Sequence, residues 1–295
     1  MTPIRFFNRR TGSLETERVY GDFWLRLLYG PLPARPVLHA VAKRAFFSRW
    51  YGRRMKQPAS RRRIAPFIAK FGLDCGEFAD PPPSFATFND FFIRRLKPEA
   101  RPVDPRPHVA VFPCDGRHLG FPEAARVDAA FVKGQHFDLE ALLGSPELAR
   151  RHARGPLVLS RLSPADCHRF HFPADGVPSG PVFLNGFLFS VSPYALRRNL
   201  AYLWQNKRFL TKLRTERFGT VLMVEIGATN VGSVRQTHQP GQPARKGSEK
   251  GYFEFGGSAL ITLFEPGAVS LAADLLEHSA NQTELYAPSG TPMAE

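Results

Sequence analysis

The sequence predicts an α+β protein: a helical, basic N-terminal region followed by a mainly antiparallel β domain. Two observations carry this prediction. Before residue 100, apolar residues recur at helical spacing. From Val109 onward, short β-prone runs alternate with Gly, Pro and Asp turns. Proline-rich stretches at Pro81-Pro82-Pro83 and from Pro98 to Pro107 break the helical part and link it to the rest. The expected division of the chain is a helical, basic region over 1–100, a β-rich domain over 101–280 and a polar tail, 281–295.

Four helices are expected in the first part. Over 13–29, Ser13 serves as cap and Phe23, Trp24, Leu27 and Leu28 form a stripe. A second, about 37–55, opens after Pro36. A third opens at Ser60, with Ile64, Phe67, Ile68 and Phe71 on one face and Gly72 as its stop. Pro66 is expected to shift its start or kink it. A fourth runs from a Ser84 cap through Phe85, Phe88, Phe91 and Phe92 to Pro98. The β runs are Val109–Phe112, Ala130–Lys133, Leu157–Leu162, Phe170–Phe172, Val182–Val191, Thr220–Val234 and Gly251–Leu263. Helical interruptions are expected at 138–143 and 193–204. The tail after Glu277 is expected to fray.

Composition narrows the function. At 295 residues and 43% hydrophobic content, the chain is globular rather than disordered. No run reaches the roughly 18–20 apolar residues that span a bilayer. The N-terminus lacks a secretory apolar region, so a cytoplasmic, non-spanning protein is expected. Cys75, Cys114 and Cys167 are an odd count without metal-ligand spacing, which argues against a disulfide framework or a zinc site.

The net charge of +14 is uneven. Between Pro31 and Leu73 there are eleven Lys and Arg and no Asp or Glu. Such a block attracts nucleic acid or acidic lipid. Phe46, Phe47, Trp50 and Tyr51 lie among the charges, which favours a membrane interface. Aromatics also stack on bases, so nucleic acid stays open.

Reactive side chains gather at four places. Gly256-Gly257-Ser258-Ala259 interrupts an apolar run, and glycine there leaves the carbonyl before Ser258 uncrowded. Taken alone, an ordinary turn is the commoner meaning. Cys114-Asp115-Gly116 ends a strand-like run and reads as a turn former. His168 and His171 are three apart, so on a straight strand they point to opposite faces and share no site. The Pro164 turn or the Pro173 end could rotate one of them. A metal site lacks a third ligand nearby. Asn230-Val-Gly-Ser233 closes another strand. Cys114 and Cys167 are weak candidates for nucleophiles, because free cysteine is more often buried and inert.

In order along the chain, seven motifs form a pattern. They are Phe91-Phe-Ile-Arg-Arg-Leu-Lys-Pro-Glu-Ala-Arg-Pro102 with Cys114-Asp-Gly116; Lys133-Gly-Gln135; Leu162-Ser-Pro-Ala-Asp-Cys-His-Arg-Phe-His-Phe-Pro173; Ser190-Val-Ser-Pro193; Val224-Glu-Ile-Gly-Ala-Thr-Asn-Val-Gly-Ser233; Lys246-Gly-Ser-Glu-Lys-Gly-Tyr-Phe253; and Gly256-Gly-Ser258. The chain after about residue 85 resembles the pyruvoyl-dependent phosphatidylserine decarboxylases of the bacterial and mitochondrial type.

The resemblance implies a self-processing enzyme. Ser258 would attack the carbonyl of Gly257, helped by His171 as base and Asp115 as its orienting acid. Elimination and hydrolysis would then leave fragments 1–257 and 258–295, the second capped by a pyruvoyl cofactor derived from Ser258. That carbonyl would condense with the amine of phosphatidylserine and accept electrons as carbon dioxide leaves. His168 is the candidate for binding the substrate carboxylate or managing the proton. The expected partners are phosphatidylserine, an anionic membrane surface and the chain's own fragments. A homodimer is compatible with the resemblance, which includes no nucleic acid. The expected location is peripheral, on the cytoplasmic face of the bacterial inner membrane. The sequence departs from the family at Cys114, where Ala is common, at Cys167, where Tyr is common, and at Ala259, where Thr or Ser is usual. The last removes a hydroxyl beside the expected cleavage bond. Two rivals stand beside this reading: a lipid-binding family member without activity, and a basic nucleic-acid-binding protein.

Overall fold

A computed structural model describes residues 3–29, 38, 43, 45–127, 137–229, 234–256 and 258–295. The expected strand at Ala130–Lys133, the Lys133-Gly-Gln135 motif, Asn230–Ser233 and Gly257 lie outside the described residues, as does most of 30–44.

The N-terminal part is less helical than its periodicity suggests. Strands β1 (Arg5–Asn8) and β2 (Ser13–Thr16) form an antiparallel hairpin. The expected helix over 13–29 therefore shrinks to α1 (Asp22–Tyr29). Ser13 pairs with Asn8 instead of capping a helix. Long-range pairing decides here, because β1 also joins a strand from the far end of the chain. Helix α2 (Ala45–Met55) covers the C-terminal part of the second expected helix. Pro58–Arg63 makes a 3-10 turn, which leads into α3 (Ile64–Phe71). Gly72 ends α3 with φ 64°, the left-handed stop the sequence predicts.

The fourth helix is α4 (Phe88–Phe92), shorter than expected. Thr87, not Ser84, caps it: Thr87 Oγ1 accepts from Asp90 N at 3.1 Å, and Asp90 Oδ2 accepts from Thr87 N at 3.0 Å. It stops at Phe92, where side chains reach the carbonyls at its C-terminal end. Arg169 Nε donates to Ile93 O at 2.9 Å, and Arg94 Nη1 donates to Phe91 O.

The β domain is built on one large sheet. Its strands, with two shorter sheets beside it, are β3 (Ala110–Val111), β4 (Gly116–Phe121), β5 (Leu157–Leu162), β6 (Arg169–His171), β7 (Val177–Pro178), β8 (Val182–Leu184), β9 (Arg208–Arg214), β10 (Thr220–Gly227), β11 (Val234–Gln236), β12 (Glu249–Phe253), β13 (Ser258–Leu263), β14 (Glu284–Ala287) and β15 (Pro292–Ala294). The large sheet runs β2-β1-β14-β4-β5-β13-β10-β9-β7, with β8 also on β9. Its pairings are antiparallel except β1–β14. A second sheet runs β11-β12-β6, and β3 pairs with β15.

Alternation splits the core between the two faces of the large sheet. Ala259, Ile261 and Leu263 of β13 join Leu157 and Leu159 on one side. Leu260 joins Val158, Leu162 and Met223 on the other. Both faces are covered, which is why β5 and β13 are buried along their whole length. A third, aromatic cluster packs α3 and α4 through Phe67, Phe88, Phe91 and Phe92 against Phe255, just ahead of Ser258.

The tail is not frayed. Helix α5 (Ala273–Ala280) is followed by β14, which lies between β1 and β4, and by β15. Leu285, Ala287 and Met293 are fully buried. Polar flanks hid a four-residue strand whose alternate side chains enter the core. The large sheet thus draws strands from all three stretches into which the sequence was divided. Of the expected run 182–191, Val182–Leu184 forms strand β8 and Phe187 adds a single bridge to Asn206, and the expected helix over 193–204 appears as two short pieces, Pro193–Leu196 and Tyr202–Gln205.

Candidate active site

Ser258 opens β13 in the middle of the sheet, opposite Leu162 on β5 and Gly227 on β10. It is fully buried. Two residues earlier, Gly256 has φ 139°, a backbone conformation that a side chain strains. The chain therefore enters the strand through a bend that depends on glycine.

Beyond Leu162 the chain turns over Ser163–Asp166 and then runs through Cys167 and His168 into β6. The turn brings His168 back over the start of β13. Its Nδ1 lies 3.2 Å from Ser258 Oγ, and its Nε2 lies 3.1 Å from the Ser163 carbonyl. A carbonyl only accepts, so Nε2 carries the hydrogen. Nδ1 is then an acceptor, and the Ser258 hydroxyl donates to it. The ring packs on Phe92, with centroids 3.9 Å apart, and is fully buried. Burial pushes its pKa down to about 3, against a smaller opposing effect of the Ser163 bond. The imidazole is therefore neutral at pH 7.

His171, at the far end of β6, faces a different group. Its Nδ1 lies 3.3 Å from Pro113 O and 3.2 Å from Ser289 Oγ. Nδ1 therefore carries the hydrogen, and Nε2 is left unprotonated. Burial lowers its pKa as well. Asp115, just before β4, accepts from Arg101 Nε at 2.7 Å, Arg101 Nη2 at 2.7 Å and Ser289 N at 2.9 Å. Ser289 thus bridges Asp115 and His171. These three, with Cys167, Arg101 and Arg169, line a cavity of about 420 Å³.

Among the described hydrogen bonds, Ser258 is joined to His168 and not to His171, and Asp115 reaches His171 only through Ser289. The expected line Asp115–His171–Ser258 is not formed as one chain of bonds. The Ser163 turn separates the two histidines, since it presents one to β13 and leaves the other at the end of β6. Sequence reasoning gave no role to Ser163, Asp166, Phe92, Arg101 or Ser289. The Ser163-x-x-Asp166 spacing, a turn-capping pattern, was the available signal for the first two.

The remaining candidates separate clearly. Cys114 and Cys167 are buried thiols whose pKa values burial pushes up, so both stay protonated. Ala259 faces the core on the opposite side of the sheet from Leu260, pairing with Ile226 and Arg161. A hydroxyl at position 259 would point away from the face that Ser258 shares with Leu260. Lys250 of β12, fully buried, pairs with Glu225 of β10 at 3.0 Å and with Gln236 of β11 at 2.8 Å, tying the second sheet to the first.

The comparison with known proteins decides the family. The model of the phosphatidylserine decarboxylase family matches residues 88–282. The chain belongs to the phosphatidylserine decarboxylase family. A relative from Fusobacterium nucleatum is 42% identical over 281 residues, covering 95% of this chain and 94% of the relative. One from Chlamydia muridarum is 42% identical over 290 residues, covering 98% and 96%, and one from Chlamydia trachomatis is 39% identical over the same length. All three are named phosphatidylserine decarboxylase proenzyme. The family match begins at α4, so it takes in the Phe92 that packs on His168 and every residue of the site except Ser289.

Proposed function

We propose that this chain is a proenzyme that makes a pyruvoyl group from its own Ser258 and then decarboxylates phosphatidylserine. The observation that supports this most directly is the contact between a buried serine and the unprotonated nitrogen of a neutral histidine, just after a glycine-dependent bend. In the uncut chain, Ser258 Oγ attacks the Gly257 carbonyl and its proton passes to His168 Nδ1. The C–O ester bond forms as the Gly257–Ser258 C–N bond breaks, and the nitrogen takes a proton. Loss of the Ser258 α-proton then expels the Gly257 carboxylate and leaves dehydroalanine. Water hydrolyses it with release of ammonia, giving fragments 1–257 and 258–295.

The residues around position 258 fit such a group. A pyruvoyl carbonyl there supplies an acceptor for the electron pair left behind as carbon dioxide departs. His168 stays in contact with that position and handles the proton that replaces carbon dioxide. His171, held through Ser289 by Asp115, serves proton transfers from the cavity side. The exposed cations Arg95 and Lys97, which also line the cavity, suit an anionic headgroup. The products would be phosphatidylethanolamine and carbon dioxide.

The docking surface follows the charge. Helix α1 exposes Phe23 and Trp24, and α2 exposes Phe46 and Trp50 beside Arg49, Arg53 and Arg54. Exposed aromatics set among arginines suit an anionic lipid interface on the cytoplasmic side. Among the described residues, no helix is long and apolar enough to cross a membrane.

A denaturing gel tests the reading. Wild-type protein is expected as two fragments, and Ser258→Ala as one. A wild-type chain that stays whole and lacks a pyruvoyl group by mass overturns it. His168→Ala and His171→Ala separate the two histidines. A whole His168→Ala chain beside a cut His171→Ala chain supports the division above, and the reverse pattern exchanges their roles.

A further inference from the structure

Ser289 lies beyond the expected cut, yet it meets two residues of the site that lie before it. Its amide donates to Asp115 Oδ1 at 2.9 Å, and its Oγ lies 3.2 Å from His171 Nδ1. Arg101 holds both oxygens of Asp115, and no described hydrogen bond joins Asp115 to His171 itself. The buried Ser289 Oγ also lies 3.5 Å from the Phe112 carbonyl, which can only accept. Its hydrogen is thus turned to Phe112, and its lone pairs face Nδ1–H. The loop that carries Ser289 is fixed from both sides. Gly290 N donates to Phe112 O at 3.0 Å, and Gly290 O accepts from Asp104 N at 2.9 Å. Gly290 has φ 85°, and a Cβ there would lie 2.7 Å from Pro102 O.

We propose that Ser289 is a positioning residue for His171: its hydroxyl accepts from Nδ1–H, holds the ring at the cavity wall and leaves Nε2 as the base. The proposal rests on the reading of His171 as a group that transfers protons in this site. The Pro113 carbonyl, 3.3 Å from Nδ1, shares the hydrogen but already accepts from His171 N at 2.7 Å. When Nε2 takes a proton the ring becomes a cation, and an acceptor at Nδ1 steadies that form. Burial acts the other way and lowers the His171 pKa. The charged groups around the ring are Asp115, Glu249 opposite it on β12, Arg169 two residues before it on β6, and Arg101 behind Asp115. All four remain when Ser289 is changed, so the hydroxyl can be tested apart from them. A purely structural role predicts something different. Loss of the hydroxyl would then lower thermal stability and leave the titration of His171 where it is.

The test uses the full chain. Ser289→Ala keeps the amide bond to Asp115 and removes the hydroxyl alone. In Ser258→Ala, which cannot be cut, ¹⁵N-labelled histidine reports the titration of His171. Adding Ser289→Ala is expected to move that titration down by about half a pH unit. Ser289→Thr, which keeps the hydroxyl, is expected to leave it in place. In the cleavable chain, the step that His171→Ala abolishes, whether cutting or decarboxylation, is expected to slow about 5-fold in Ser289→Ala, the weight of one hydrogen bond. The acid limb of its pH profile should move down with the titration, and Ser289→Thr should restore both. Where the threonine methyl does not fit, seen as a lower thermal midpoint, the Ser289→Ala titration decides alone. An unmoved titration in Ser289→Ala overturns the proposal, whether the rate is unchanged or falls along with thermal stability. A His171→Ala chain that cuts and decarboxylates at the wild-type rate overturns it too. A wild-type chain that never cuts itself instead overturns the decarboxylase reading, while the titration of His171 can still be read.

Discussion

His168 and His171 are three residues apart and carry opposite tautomers. Each is fixed by a backbone carbonyl, that of Ser163 for His168 and that of Pro113 for His171. Burial keeps both neutral, and a third histidine shares that state. His118 is fully buried between Ser160 Oγ and the Ala287 carbonyl, and burial pushes its pKa down to about 3. This has a consequence for acid stability. In the unfolded chain both His118 and His168 bind a proton below about pH 6.5. The folded chain refuses those protons until about pH 3. Between these limits the unfolded state binds more protons, so stability falls as pH falls. The urea midpoint is expected to drop steadily from pH 7 to pH 4. The drop should be shallower in His118→Gln, which keeps a polar side chain but cannot titrate. An equal slope in the two proteins would show that His118 is not held neutral by the fold.

At the scale of elements, two kinds of surface distinguish the N-terminal helices. The inward faces of α3 and α4 build the aromatic cluster that reaches Phe255 and His168. Phe23 and Trp24 of α1, and Phe46 and Trp50 of α2, face solvent at 69%, 64%, 56% and 51% exposure. Side chains this exposed contribute little to folding, so their replacement separates docking from stability. Changing these four to serine is expected to weaken sedimentation with phosphatidylserine-containing vesicles by at least about 10-fold, since each buried aromatic contributes roughly 1.5–3 kcal/mol. The thermal midpoint should stay within about 2 °C of wild type. Unchanged vesicle binding would remove these helices from the docking surface.

For the whole molecule, what matters is where the expected cut falls. Fragment 258–295 supplies two interior strands of the large sheet, β13 between β5 and β10 and β14 between β4 and β1. Ion pairs also cross the cut. Arg161, which pairs with Glu17 within the first fragment at 2.6 Å, holds Glu284 across the cut at 2.6 Å, and Arg9 holds Asp274 at 2.6 Å. Burial alone would raise the Glu17 pKa, but Arg161 and Arg117 outweigh it and hold it below its ordinary value. Removing the fragment would open the sheet in two places and strand buried charges. The two pieces are therefore expected to co-elute on native size exclusion and to part only in denaturant. Separate elution in buffer would mean that the sheet does not hold them.

The sequence by itself determined the strands that are buried on both faces, because a continuous apolar run such as Val221–Val224 leaves few alternatives. It also determined the Gly72 stop, the importance of Gly256 before Ser258, and the family, because these depend on local backbone chemistry or on motif order. It did not determine the N-terminal hairpin, the β14 strand or the early end of α4, since each depends on a partner distant in the chain. The pairing at the site belongs to the same class. Spacing places His168 and His171 on opposite faces of a straight strand, but it cannot show where the strand begins. The tertiary structure decides that through the Ser163–Asp166 turn, which ends β5, starts β6 after His168, and gives Ser258 the histidine it meets.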